Sequence, residues 1–339
     1  MLIDMHAHVI PESFPPAAGR ASARRWPTMD HFEPGRANVI IAGENFRTVH
    51  SGNWDAERRL RDMETSGVDA EVISPLPELL SYWFTVEDGL DFCRFLNEWI
   101  AKFCEAAPGK FYGLGAVPLQ DPDLAAKELA SVKSMGLVGV EVGSNVLGKS
   151  LGEERFLGFF HEAARLGLAV FVHALHPTVA GRIAPALLNP IGFPTDTALT
   201  IASLIEGGTA EACPDLRIAF SHGGGAFPFI LPRLVHAWSG TWNEEPPDPG
   251  HAPVPDLPRS PAEYARRFYY DTLVFDRRAI RYLVDVIGPA RLLIGTDYPY
   301  MARERPVGKT LFAMGLDEAA VEDICWRNCL RFLDVREPS

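Results

Sequence analysis

The sequence is short of everything that a nucleic acid or a membrane demands of its partner. Lys and Arg number 32 against 44 Asp and Glu, for a formal net charge of −12. No basic surplus therefore stands ready to neutralise phosphates or an anionic bilayer. An anionic small molecule is not excluded, because one or two arginines inside a pocket can dominate locally. No apolar run approaches the ~20 residues of a membrane-spanning helix. The chain opens directly into a strand-like run, Met1 to Met5, without a basic stretch followed by a long apolar core. The five cysteines (Cys93, Cys104, Cys213, Cys325 and Cys329) are odd in number and form no CxxC pair, which speaks against a disulfide framework or a cysteine metal site. These absences lead us to expect a reduced, soluble, cytoplasmic protein with no nucleic-acid and no membrane partner. A GxGxxG after the first strand and a P-loop are also missing, so nucleotide-binding sheets lose support.

What is present is an ordinary globular composition. Apolar residues make up 47% of 339 and charged residues 22%, enough to bury the core of one α/β domain spanning 1–339. Eight short apolar or β-branched runs stand out: Leu2–Met5, Ala70–Ser74, Tyr112–Val117, Val138–Val142, Ala169–His173, Ile218–Ser221, Phe268–Thr272 and Leu292–Thr296. Helical patterns between and after them cover Asp55–Thr65, Asp88–Ala107, Asp123–Met135, Glu153–Leu166, Thr195–Glu206, Arg277–Val286 and Asp317–Phe332. Buried strands alternating with amphipathic helices imply a parallel sheet, and eight units favour a closed (β/α)8 TIM barrel. Three stretches break the repeat and read as loops inserted over a barrel face, near 11–51, 178–194 and 242–261. The first two follow strands one and five, which places them at the catalytic mouth of such a barrel.

The chemistry-bearing residues gather at strand ends. Strand one closes Asp4-Met5-His6-Ala7-His8, and alternation puts His6 and His8 on one face. A lone His-x-His pair is weak evidence. Strand five, however, ends in Val172-His173, strand six in Ser221-His222 and strand eight in Thr296-Asp297. Four strands thus deliver three sets of imidazoles and a carboxylate to their C-terminal ends, where barrel active sites form. Unrelated core histidines at one depth would each need a buried partner, so a metal site is the better account.

The set His6-x-His8, His173, His222 and Asp297 resembles the amidohydrolase superfamily. It is most similar to the branch containing aminocarboxymuconate semialdehyde decarboxylase and related non-oxidative decarboxylases. The strings that carry the resemblance are Asp4-Met5-His6-Ala7-His8, Asn45-Phe46-Arg47, Val117-Pro118-Leu119-Gln120-Asp121, Ser221-His222-Gly223-Gly224-Gly225 and Gly295-Thr296-Asp297-Tyr298-Pro299. The resemblance implies that His6, His8, His173 and Asp297 ligate one divalent metal, Zn²⁺ by expectation, with Mn²⁺ or another divalent ion as substitutes. Glu141 and Val142 stand at the end of strand four, where a dinuclear site would carry a modified lysine. His222 matches the branch's general base beside a metal-activated water, with a role as fifth ligand left open.

Arg47 and Arg233 match the arginines that hold substrate carboxylates, with Phe46 beside the first. The resemblance implies a homodimer in which Arg233 reaches the neighbouring subunit's site. Departures from the branch concern the substrate. Ala174-Leu175-His176-Pro177 replaces a Pro-Trp pair, Gly43-Glu44 stands where a basic residue is expected before Asn-Phe-Arg, and the loop 185–194 lacks a tryptophan. His176 is either a substrate contact or a loop residue. The function implied is decarboxylation of a small aromatic or ring-opened, muconate-type carboxylic acid. A hydrolase or hydratase of a related lactone, amide or enol acid is the alternative on the same metal site.

Overall fold

Each apolar run becomes one strand of a ring, and the residues between them wind back along its outside. We describe a computed structural model covering residues 1–239 and 257–337. The first half holds β1 (Ile3–Val9), an antiparallel trio β2 (Thr28–Glu33), β3 (Arg36–Ile41) and β4 (Glu44–His50), α1 (Ala56–Ser66), β5 (Ala70–Pro75) and α2 (Val86–Glu105). There follow β6 (Phe111–Gly115), α3 (Pro122–Ser134), β7 (Gly139–Gly143) and a hairpin of β8 (Asn145–Val146) and β9 (Lys149–Ser150). The second half begins with α4 (Leu157–Leu166), β10 (Ala169–His173), α5 (Phe193–Glu206), α6 (Thr209–Ala212), β11 (Ile218–Phe220) and α7 (Phe227–Trp238). It ends with α8 (Pro261–Ala265), β12 (Tyr269–Asp271), α9 (Arg277–Val286), β13 (Leu292–Leu293), α10 (Lys309–Phe312), α11 (Glu318–Glu322) and α12 (Asn328–Leu333).

Eight of these strands form one parallel sheet in the order β1-β5-β6-β7-β10-β11-β12-β13. The seam closes where Met5 N donates to Ile294 O (2.8 Å), Asp297 N to His6 O (2.7 Å) and His8 N to Tyr298 O (2.7 Å). The molecule is a (β/α)8 TIM barrel, as the strand pattern predicts. Asp55, Thr85, Asp121 and Asp276 cap the helices that follow, each accepting an amide N–H at the first turn. No helix among the described residues is long and apolar enough to cross a membrane.

The core has two layers. Outward-facing strand residues such as Ile73, Val140, Val142 and Phe220 pack with the helices. A second cluster fills the barrel itself: Ile3, Met5, Val72, Leu114, Phe171 and Leu293, closed from beneath by Phe332 and Leu333 of α12. Strand β1 changes parity on the way up. Asp4 pairs with Glu71 but Ala7 pairs with Ile73, so β1 carries one extra residue there. That bulge lets Ile3 and Met5 face the interior below while His6 and His8 face it above.

Two segments differ from their sequence reading. Residues 11–51, read as a loop, contain the β2–β3–β4 sheet, because Ala37, Val39 and Ile41 alternate as buried positions along β3 and anchor it on the barrel. The helix expected over Asp317–Phe332 is interrupted between α11 and α12 by a wider turn, Asp323–Arg327. There the Ile324 carbonyl leaves the helical ladder to accept from Ile294 N (3.0 Å). The insertion near 178–194 forms short single turns leading into α5. Of the one near 242–261, residues 242–256 lie outside the described residues.

Candidate metal centre

Strand ends β1, β10 and β11 and the loop after β13 bring five side chains to one point. Ligand atoms of His6, His173, His222 and Asp297 all lie within 4.8 Å of one another. His8 belongs with them. Its Nε2 is 3.1 Å from His6 Nε2 and 3.2 Å from Asp297 Oδ1. His6 and His8 sit fully buried, and the His173 ring centroid is 5.0 Å from that of His8 and 5.1 Å from that of His6. Phe171 lies directly against His6 (5.0 Å) and separates this polar layer from the apolar fill beneath.

The rings are locked from behind. His6 Nδ1 donates to the buried Asp271 carboxylate at 2.7 Å. His173 Nδ1 donates to Ala174 O (2.9 Å), and His8 Nδ1 lies 3.2 Å from Pro75 O and 3.1 Å from Ser74 Oγ. A carbonyl or carboxylate can only accept, so each Nδ1 is the protonated nitrogen and each Nε2 offers a lone pair to the centre. His173 Nε2 is buried with no hydrogen-bond partner among the described residues. Burial, with the neighbouring His8, His6 and His222, pushes the His173 pKa well below its ordinary value, keeping it a neutral ring. Against the burial that would raise it, contacts with His222, His8 and His6 hold the Asp297 carboxyl well below the carboxylate range. Three imidazole lone pairs and one carboxylate oxygen, crowded together without protons between them, fit a divalent cation.

His222 is built differently. Its Nδ1 is buried without a partner among the described residues, and its Nε2 stands 3.9 Å from Asp297 Oδ2. No acceptor among the described residues pins the ring, and the side chain is partly open to the cavity. The main chain is held instead, with the amides of His222 and Gly223 each donating at 2.9 Å to Asp271. His222 and Asp297 adopt left-handed backbone, φ +55° and +57°, a conformation that side chains with a Cβ resist and that clusters at functional sites. The glycines after His222 fit the same turn. A Cβ on Gly225 would meet the Pro194 carbonyl oxygen at 2.1 Å.

Above the cluster opens a cavity of about 850 Å³, lined among others by His8, Phe46, Arg47, His173, His176, His222 and Asp297. Arg47, from β4, lays its guanidinium over the Tyr300 ring at 4.4 Å, and Tyr300 in turn stacks on His8 (5.8 Å). Tyr300 is held by its hydroxyl, which donates to Asn53 Oδ1 (2.7 Å). Phe46 is exposed on the cavity wall. Arg233 is exposed on α7 and lies outside the residues lining this cavity.

Sequence reasoning missed four side chains here. Asp271 ends strand seven as Asp297 follows strand eight, and the same strand-end rule would have found it. Glu141, noted only as not being lysine, is fully buried with its Oε2 3.6 Å from His8 Nδ1, and burial pushes its carboxyl up to about 8. Tyr300 and Glu78 stand on loops, where no periodicity points.

With the geometry in place, comparison with known proteins is informative. A family model described as amidohydrolase matches residues 3–335. The 2-amino-3-carboxymuconate-6-semialdehyde decarboxylase of Dictyostelium discoideum is 33% identical over 340 residues, covering 98% of this chain and 91% of that protein. The gamma-resorcylate decarboxylase of Rhodococcus jostii is 29% identical over 260 residues, covering 71% of this chain and 76% of its own. The crystal structure of 5-carboxyvanillate decarboxylase from Sphingomonas paucimobilis is similar with a TM-score of 0.78 at 26% identity, covering 99% of both chains.

Proposed function

The chain belongs to the amidohydrolase family, and from that premise we propose that it is a metal-dependent non-oxidative decarboxylase of a small aromatic or ring-opened carboxylic acid. The observation that carries the reading is the set of Nε2 lone pairs from His6, His8 and His173 facing the Asp297 carboxylate at the floor of an open cavity. The relatives named above are all decarboxylases. We assign His6, His8, His173 and Asp297 as ligands of one divalent cation, zinc by donor preference, in a single barrel domain. When bound, such a cation would supply a Lewis acid that draws charge from the oxygens placed against it.

The chain's own residues do the remainder. The carbon that loses CO₂ must gain a proton, and His222 is the unpinned imidazole at the site. It takes a proton from water at one moment and delivers one to that carbon at another, as a general base and acid. Arg47 offers a guanidinium that the protein engages by stacking on Tyr300, leaving its N–H groups to hold a substrate carboxylate. Phe46, on the wall of the same cavity, is assigned to the apolar part of the substrate. Asp271 orients His6 and the His222 backbone together.

We further propose a homodimer in which Arg233 completes the partner's site. Phe229 (79% exposed) and Ile230 (42%) on the same helix leave an apolar face that a second copy would cover. Mixing His222→Ala and Arg233→Ala subunits should then regain part of the activity. An inert mixture after confirmed exchange would reject the shared site. The reaction itself is tested by incubating the metal-loaded enzyme with hydroxybenzoates and carboxylated dienoates. CO₂ release supports the proposal, whereas turnover of lactones or amides without CO₂ would replace it with the hydrolase alternative.

A further inference from the structure

The cavity has a second polar station that the proposed reaction leaves unused. Glu78, on the turn after β5, and His176, after β10, are 98 residues apart in sequence, yet His176 Nε2 donates to Glu78 Oε2 at 2.9 Å. Both line the cavity above the histidine cluster. In a ring of eight, β10 is the fifth strand and lies across from β1. Glu78 comes from β5, the strand beside β1, so the pair joins two walls of the mouth that are three strands apart.

This station is rigid. The His176 ring lies flat on Trp83, with centroids 4.7 Å apart and planes 4° from parallel, and Arg25 covers the other part of the stack at 4.2 Å from the Trp83 ring. The backbone of His176 is left-handed, φ +43°. Asn145 Nδ2 holds that residue's carbonyl (3.2 Å) and the one before it (2.9 Å). A non-glycine residue keeps such a conformation only where its surroundings impose it. The result is a carboxylate with one oxygen taken by His176 and the other without a protein hydrogen bond among the described residues, placed in a cavity that is to receive an acid. Such a group repels a bare carboxylate and attracts a donor.

We propose that Glu78, positioned by His176, recognises a hydroxyl or amino group on the substrate. The inference rests on the decarboxylase reading and narrows its substrate class to hydroxy- or amino-substituted acids. An unsubstituted acid would bring no donor to the carboxylate oxygen that faces the cavity, which accounts for the discrimination, roughly 10- to 100-fold for one charge-assisted bond.

The test is titration calorimetry of the metal-loaded enzyme with benzoate, 3- and 4-hydroxybenzoate, 3- and 4-aminobenzoate, muconate and 2-hydroxymuconate. At least one substituted acid should bind ~10–100-fold more tightly than its unsubstituted parent. Glu78→Gln and His176→Asn should shrink that advantage below about threefold without weakening the parent acid, whose affinity should rise in Glu78→Gln as the repelling charge is removed. An advantage that survives both substitutions, or equal weakening of substituted and unsubstituted acids, overturns the inference and marks the pair as a loop staple. Enzyme that binds none of these acids overturns the carboxylic-acid reading, and the inference falls with it. Binding of benzoate or muconate that is lost in Arg47→Ala keeps the reading standing on its own, whatever becomes of Glu78.

Discussion

The two ends of the barrel interior are built from the same eight strands and obey opposite rules. The lower end is closed by Ile3, Met5, Val72, Phe171 and Leu293, sealed with Phe332 and Leu333. Nothing there needs a hydrogen bond. Above it, His173 Nε2, His222 Nδ1 and both Glu141 oxygens are buried without well-formed partners among the described residues, and three residues lining the mouth (His176, His222 and Asp297) hold left-handed backbone. The floor contributes stability and the mouth spends it, since unpaired buried polar atoms each cost about 1–3 kcal/mol. Phe171, against His6, marks the boundary.

The sharpest way to break this contrast is at Asp297. Asp297→Ala should lower turnover by more than ~10⁴-fold and empty the site by metal analysis, while the melting temperature of the metal-free protein stays level or rises. His222→Ala should cost about 10²–10⁴-fold in turnover with metal retained. If zinc leaves with that ring, His222 is a ligand. At the floor the signature reverses: Phe332→Ala should destabilise the fold by about 3–5 kcal/mol in denaturant titrations, with kcat per folded molecule unchanged. Asp271→Asn lies between the two, keeping the shape of the His6 contact but weakening its acceptor. We expect metal affinity to fall about 10–100-fold by competition with a chelator, at nearly constant stability.

The smallest effect concerns the rim. Asp88 accepts from Ser22 N at 2.6 Å and fastens the inserted segment to α2. Against the burial that would raise it, that amide, with Thr85 and Arg20, holds its pKa below the ordinary value. Its contribution is therefore full above the unfolded-state pKa of ~3.9 and is lost as pH falls through the lower folded-state value. Asp88→Asn should cost about 1 kcal/mol at pH 7, and the difference in melting temperature from wild type should shrink as pH falls through the lowered folded-state pKa of Asp88.

The ring of strands was legible in the sequence because buried parallel strands leave short, dense apolar runs whose ends carry the chemistry. His6, His173, His222 and Asp297 were found by that rule alone. The floor was half legible: Ile3 and Met5 read as core, but the bulge that turns His6 and His8 inward above them depends on pairing with β5 and leaves no mark in composition. The β2–β3–β4 sheet hid behind its prolines, glycines and arginines, since only Ala37, Val39 and Ile41 face the core. Glu78, Tyr300 and Arg25 were invisible, because each stands on a loop whose place is decided by strands remote from it in the sequence.

The seam between β1 and β13 also orders events in time. His6 and His8 lie at the start of the chain and Asp297 near its end, and the hydrogen bonds that join them, from Asp297 N to His6 O and from His8 N to Tyr298 O, close the ring. The segments that meet at this seam are separated by about 290 residues, so neither can form the cluster until the strands between them have folded into the ring. A substitution that loosens the seam should therefore open the barrel and disperse the histidine cluster in one event.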